Sequence, residues 1–163
     1  MRYDDPGGTR DALPSAEGLR IALAISRFNA SVTESLAQGA RAALVSAKVQ
    51  QDDVAEVWVP GAYELPQAAR ALARSGRFDA IVCLGCVIRG ETPHFEYISS
   101  AVAHGIMQAS ADTGVPIAFG VLTTDTAKQA EERSGAGREN KGWEAAAAAI
   151  DMALLFRQLR PDV

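Results

Sequence analysis

Histidine, threonine and glycine lie close together in Gly85-Cys86-Val87-Ile88-Arg89-Gly90-Glu91-Thr92-Pro93-His94-Phe95, and each type suits a different step of polar chemistry. The imidazole of His94 can carry a proton near neutral pH. Gly90 lets a ligand approach the backbone, whose N–H groups, with the Thr92 hydroxyl, make a cradle for an anion. Phe28 and Phe119 offer ring faces for a planar ligand, and Glu64 offers a carboxylate for hydroxyls or amines. Each residue also has an ordinary reading. A loop entering a helix uses Gly, Thr and Pro for folding alone, and a histidine in a first helical turn is commonly a surface residue. Phe is commonly core, and charges such as Glu64, Arg133 and Lys141 are commonly solvated. Cys83 and Cys86 form a C-x-x-C, which invites a redox or metal reading. Cys83 falls inside an apolar run and no second ligand pair accompanies the two, so they read as packing residues.

The elements that would position these groups follow one repeating pattern. From Ala80 an apolar, β-branched run breaks at the glycine-containing loop and enters a proline-opened amphipathic segment, as a buried parallel strand feeding a helix does. Leu19 to Ser26 is a similar run. It turns at Arg27 to Ala30 into a helix opened by the S-x-x-E of Ser31 to Glu34, with Leu36, Ala40, Ala43, Leu44 and Ala47 on one face. Ala55 to Val59 leads through Pro60 to Pro66 into a helix over Ala68 to Ser75 that Gly76 stops. Phe95, Ile98, Val102, Ile106 and Ala109 form the buried stripe of the third helix. Val115 to Leu122 precedes a short helix with a capping box at Thr126 to Gln129 and a stop at Gly135. After the turn from Gly135 to Asn140, Asn140 caps a final helix over Ala145 to Leu159.

Strands alternating with helices at these lengths specify an α/β protein: a three-layer α/β/α sandwich around a four-stranded parallel sheet, with right-handed crossovers. Loops at the carboxyl ends of such strands converge, so Phe28, the Gly61 to Glu64 turn, Cys86 to His94 and Phe119 are expected to be neighbours. Spacing alone supports a small-molecule site in an α/β domain.

At 163 residues the chain has the length of one domain, expected over 19–163 and preceded by a flexible arm over 1–18 that lacks periodicity. A formal charge of -4 argues against a nucleic-acid or anionic-membrane surface. No segment is apolar enough to span a bilayer and Met1 to Leu19 has no signal-like apolar core, so a cytoplasmic protein is expected.

Several longer motifs, in order and in register, carry a resemblance. Arg27-Phe28-Asn29, Val59-Pro60-Gly61-Ala62-Tyr63-Glu64-Leu65-Pro66, Val87 to Phe95, Phe119-Gly120-Val121-Leu122-Thr123-Thr124 and Asn140-Lys141-Gly142 are similar to those of the lumazine synthase family. The likeness covers Leu19 to Leu159. It implies a flavodoxin-like sheet and a step of riboflavin biosynthesis, in which 5-amino-6-(D-ribitylamino)uracil condenses with 3,4-dihydroxy-2-butanone 4-phosphate. The products are 6,7-dimethyl-8-ribityllumazine, phosphate and water, and no metal or other cofactor is required.

By motif, Phe28 would stack on the pyrimidine, Ala62 and Glu64 would hold the ribityl chain, Gly61 and Tyr63 would bind substrate in the same turn, and Cys86, Val87 and Ile88 would line the ring pocket with backbone groups. Glu91 (through its backbone) and Thr92 would bind phosphate with help from Arg133, and His94 would be the proton carrier. Phe119 and Lys141 match pocket positions as well, with Phe119 and Arg133 supplied by an adjacent subunit. The resemblance further implies a homopentamer and, given the short turn from Gly135 to Asn140, a sixty-subunit icosahedral shell. It also implies association with riboflavin synthase, and an arm able to add an edge strand to a neighbouring subunit through Ala12 to Ala16. Readings from other classes are an idle ligand-binding relative, a scaffold with a vestigial pocket, and an electron carrier. The carrier is disfavoured because the first strand-to-helix turn lacks a glycine-rich, hydroxyl-rich phosphate loop.

Overall fold

A computed structural model describes residues 12–159. Strands β1 (Ile21–Ser26), β2 (Val54–Val59), β3 (Ala80–Ile88) and β4 (Ile117–Thr124) alternate with helices α1 (Ala30–Ser46), α2 (Leu65–Arg74), α3 (His94–Thr113), α4 (Ala127–Arg133) and α5 (Lys141–Leu159). The sheet is parallel with order β2-β1-β3-β4. This is the expected three-layer sandwich, and the order reverses direction between β1 and β3, opening a crevice beyond their carboxyl ends.

Period-two alternation sorts the strand side chains onto two cores. Ile21, Leu23, Ile25, Val82, Leu84 and Leu122 pack with α1, α4 and α5, whereas Ala22, Ala24, Ile81, Cys83 and Val121 pack with α2 and α3. β1 is buried along its whole length because it has a strand on each side and helices above and below. Where α1 crosses α5 the backbones nearly touch: a Cβ on Gly142 would fall on the Leu36 carbonyl, and one on Gly39 on the Asn140 amide. Asn140 caps α5 as expected, its Oδ1 accepting from the backbone N–H of Gly142 (2.8 Å) and Trp143 (3.2 Å). Its Nδ2 donates to the carbonyls of Ser35, Ser134 and Gly135, which fastens the 135–140 turn across α1.

Several local expectations are corrected. α1 begins at Ala30, behind Asn29, so the S-x-x-E is not a capping box: Glu34 turns along the helix to pair with Arg41 at 2.8 Å. α5 starts at Lys141, four residues earlier than read, and α2 starts at Leu65 with Pro66 in its first turn. β4 runs on to Thr124. At the amino-terminal side, Ala16 is buried, its N–H bonds to the Ala47 carbonyl at 2.7 Å, and Leu13 packs on the core. Ala12 to Ala16 form no strand within the chain, and the expectation for residues 1–11 lies outside the described residues. Among the described residues no helix is long and apolar enough to cross a membrane.

Candidate active site

The crevice at the switch point holds a cavity of about 400 Å³ lined by Phe28, Gly61, Ala62, Tyr63, Cys86, Val87, Ile88, Gly90, Thr92, His94, Phe95 and Ile98. Three strand ends build it. After β1 the chain keeps pairing beside β2, with Arg27 N–H on the Val59 carbonyl (2.8 Å) and Phe28 N–H on the Pro60 carbonyl (3.1 Å). This backbone ladder holds the Phe28 ring in the open, 69% exposed, where a core phenylalanine would not be left. Asn29 then takes a left-handed conformation (φ 59), which asparagine tolerates, and its Nδ2 donates to the Cys86 carbonyl at 3.0 Å. The bond ties the β1 loop to the end of β3.

After β2, Ala62–Glu64 forms a single 3-10 turn. One oxygen of Glu64 accepts the Gly61 N–H at 3.0 Å, leaving its other oxygen for a ligand, although Glu64 does not itself line the cavity wall. After β3, the loop 89–93 brings Thr92 and His94 to the cavity mouth, both exposed. Among the described residues no side-chain hydrogen bond or ion pair engages His94, so its ring is available. Glu91 is exposed and is not among the residues that line the cavity.

A second cavity, of about 440 Å³, runs along the outer edge of β4, between it and the helices α4 and α5. Phe119, Arg133 and Lys141 line it, with Glu144 and Ala148. Arg133 donates to the Gln129 carbonyl at 3.2 Å and, among the described residues, forms no ion pair, so its charge is uncommitted. Lys141 pairs with Glu144 at 2.8 Å. The two cavities share no lining residue. Phe28 and Phe119 therefore do not flank one ligand within a single chain, as convergence of the loops had suggested. Phe119 is the third residue of the edge strand β4 and pairs in register with Cys83, with its ring exposed, rather than standing beyond a carboxyl end.

Cys83 and Cys86 lie three residues apart on one strand and so point to opposite faces, Cys83 into the α2/α3 core and Cys86 into the α1/α5 core. Burial pushes their thiols up, to about 12 and about 11, so neither is a thiolate at neutral pH. Among the described residues no group of three or more His, Cys, Asp or Glu is placed to hold a metal ion.

Sequence reasoning missed Phe95 and Ile98 as cavity walls. The start of the α3 apolar stripe lines the crevice, while Val102, Ile106 and Ala109 further along are buried. It also missed Asn29, whose signal is an asparagine directly after a strand-end turn.

Fold and site together define a doubly wound α/β protein with a small-molecule pocket at its topological switch point. Residues 18–157 match the family model described as 6,7-dimethyl-8-ribityllumazine synthase. A curated relative of that name from Syntrophus aciditrophicus (strain SB) is 54% identical over 144 residues, covering 88% of this chain and 94% of the relative. The chain belongs to the 6,7-dimethyl-8-ribityllumazine synthase family. Membership supports binding of small-molecule substrates and assembly into an oligomer.

Proposed function

We propose that this chain is a transferase of riboflavin biosynthesis that condenses 5-amino-6-(D-ribitylamino)uracil with 3,4-dihydroxy-2-butanone 4-phosphate, releasing phosphate and water. Family membership supports the reaction. The observation that carries the residue roles is the pairing, in one cavity, of an open aromatic face at Phe28 with an unengaged imidazole at His94 and a hydroxyl-bearing anion loop at Thr92. Phe28 stacks on the pyrimidine, and the mostly apolar wall of Ala62, Cys86, Val87 and Ile88 shields the ring from water. Gly61 to Glu64 hold the ribityl hydroxyls, with the Glu64 carboxylate already oriented by Gly61 N–H. The backbone at Glu91 and the Thr92 hydroxyl take the phosphate.

The aromatic amine attacks the ketone to give a Schiff base with loss of water. Phosphate then leaves, and the ribitylamino nitrogen closes the ring. His94 moves the protons that these steps shift. Holding two reactants in register contributes on the order of 7 kcal/mol in favourable systems, which exceeds what one general acid–base supplies.

The pocket is completed by a second copy, whose β4-edge cavity brings Phe119, Arg133 and Lys141 against the first. The separation of the two cavities in one chain supports this. The copies form a ring of five, and the short 135–140 turn, fastened by Asn140, favours a shell of twelve such rings. Association with riboflavin synthase follows the same family reading, while a cytoplasmic location and a single domain over 19–163 rest on the composition and length of the sequence. Mixing the two substrates with the purified protein yields the fluorescent lumazine. No product contradicts the proposal.

A further inference from the structure

We infer that Arg89, which the reaction itself does not use, is a positioning residue that holds the 90–94 loop and the first turn of α3 in their productive arrangement. The inference rests on the active-site reading above. The Arg89 backbone N–H makes the last rung between β3 and β4, on the Thr124 carbonyl at 2.8 Å. From that fixed point the guanidinium reaches three groups. Nε donates to Asp125 Oδ1 at 2.7 Å, Nη1 donates to Glu96 Oε1, and the guanidinium carbon lies 4.4 Å from the centre of the Phe95 ring.

Glu96 and Phe95 belong to the first turn of α3, next to His94, and Phe95 is a wall of the cavity. Asp125 sits just before Thr126, the cap of α4, and its N–H is held by Gln129 Oε1 at 2.9 Å. α4 carries Arg133 in its last turn. One side chain thus joins the strand end to both elements that bear the proposed proton carrier and phosphate cation.

The loop has little else to hold it. Among the described residues, Gly90, Glu91, Thr92 and His94 make no side-chain hydrogen bond, and Arg89 to Glu96 is the side-chain bridge that spans them. Two carboxylates occupy the guanidinium, which holds the Glu96 carboxyl below its ordinary range, so Arg89 is spoken for as a brace rather than free to take a phosphate. All three charged groups are exposed, so salt screens them and their effect falls on loop placement more than on global stability.

The test is steady-state kinetics of wild type, Arg89→Gln, Arg89→Lys, His94→Ala and Arg133→Ala, with melting temperatures, at low and high salt. Arg89→Gln is expected to lose on the order of tenfold in kcat/KM, spread over kcat and the KM for the phosphorylated substrate, with an unchanged melting temperature. Arg89→Lys recovers part of the loss, since an ammonium keeps the charge without the two-carboxylate fork and the ring stacking. Phosphate recognition gives every protein a salt dependence. The additional slope in wild type over Arg89→Gln reports the brace.

Wild-type kinetics in Arg89→Gln overturn the inference, as does a loss that matches a loss of folded protein. If His94→Ala and Arg133→Ala are impaired in the same experiment, the active-site reading survives that failure. A wild type that forms no product overturns both together, and is a different result.

Discussion

His94 stands in the first turn of α3 with its ring unengaged, beside a threonine whose hydroxyl is also free to orient. If His94 is the proton carrier proposed above, it speeds a reaction that binding has already made intramolecular, and its removal costs the acid–base share alone. His94→Ala is expected to lower kcat by on the order of a hundredfold while product remains measurable and KM changes little. Arg133 lines the other cavity and, among the described residues, forms no ion pair. Arg133→Ala is expected to raise KM for the phosphorylated substrate on the order of tenfold, with a smaller change for the uracil. Initial-rate kinetics with each substrate varied separately check both, and unchanged KM for the phosphorylated substrate in Arg133→Ala contradicts its role. At this scale the sequence was readable where a residue's environment is local. Cys83 was placed as packing from the apolar run around it. Arg89 was not singled out, because its partners Glu96 and Asp125 come together only when the β3 and β4 ends are adjacent.

Among the elements, the α1–α5 contact and the α1–β2 contact use different physics. The first is a close approach of backbones at Gly142, where any side chain must displace the Leu36 carbonyl. Gly142→Ala is expected to destabilise the fold by about 3 kcal/mol, read from urea unfolding. The second is an ion pair: Arg41 reaches from α1 to both oxygens of Glu56 on β2, at 2.7 and 2.8 Å. Its hydrogen bonds hold the Glu56 carboxyl below the ordinary 4.5, against a smaller opposing effect of burial. A depressed carboxyl contributes stability above its ordinary value and loses it as pH falls through the lowered one. Glu56→Gln is therefore expected to cost about 0.5 kcal/mol at neutral pH, after allowance for solvent screening, and the deficit should shrink in acid. A deficit that persists in acid contradicts the pairing. Strand and helix order was legible because period-two and helical spacing are strong along whole elements. Ends were less so. Ser31 and Glu34 have capping-box spacing, yet Asn29 opens α1 and Arg41 draws Glu34 away. Phe119 was taken as a strand-end residue although the β-branched Thr123 and Thr124 continue β4, which leaves it in mid-strand.

For the whole molecule, the consequence of that mid-strand position is that one chain carries two separate cavities, which the proposed function reads as the two halves of a site shared between copies. Phe28, Thr92 and His94 face the switch-point crevice, while Phe119, Arg133 and Lys141 face the free edge of β4. Spacing within one sequence cannot reveal that division, since it concerns which copy of the chain supplies each half. The motif likeness carried it, and the geometry of the single chain is compatible with it. In the proposed function, lumazine forms where the two halves of neighbouring copies meet. Two variants, each with one half disabled, test this: Phe28→Asp and Arg133→Glu. Each alone is expected to be nearly inactive. Co-assembled at equal amounts, roughly a quarter of the sites pair the intact half of one variant with the intact half of the other, and activity should return to about that fraction of wild type. Co-assemblies no more active than the separate variants would contradict the shared site.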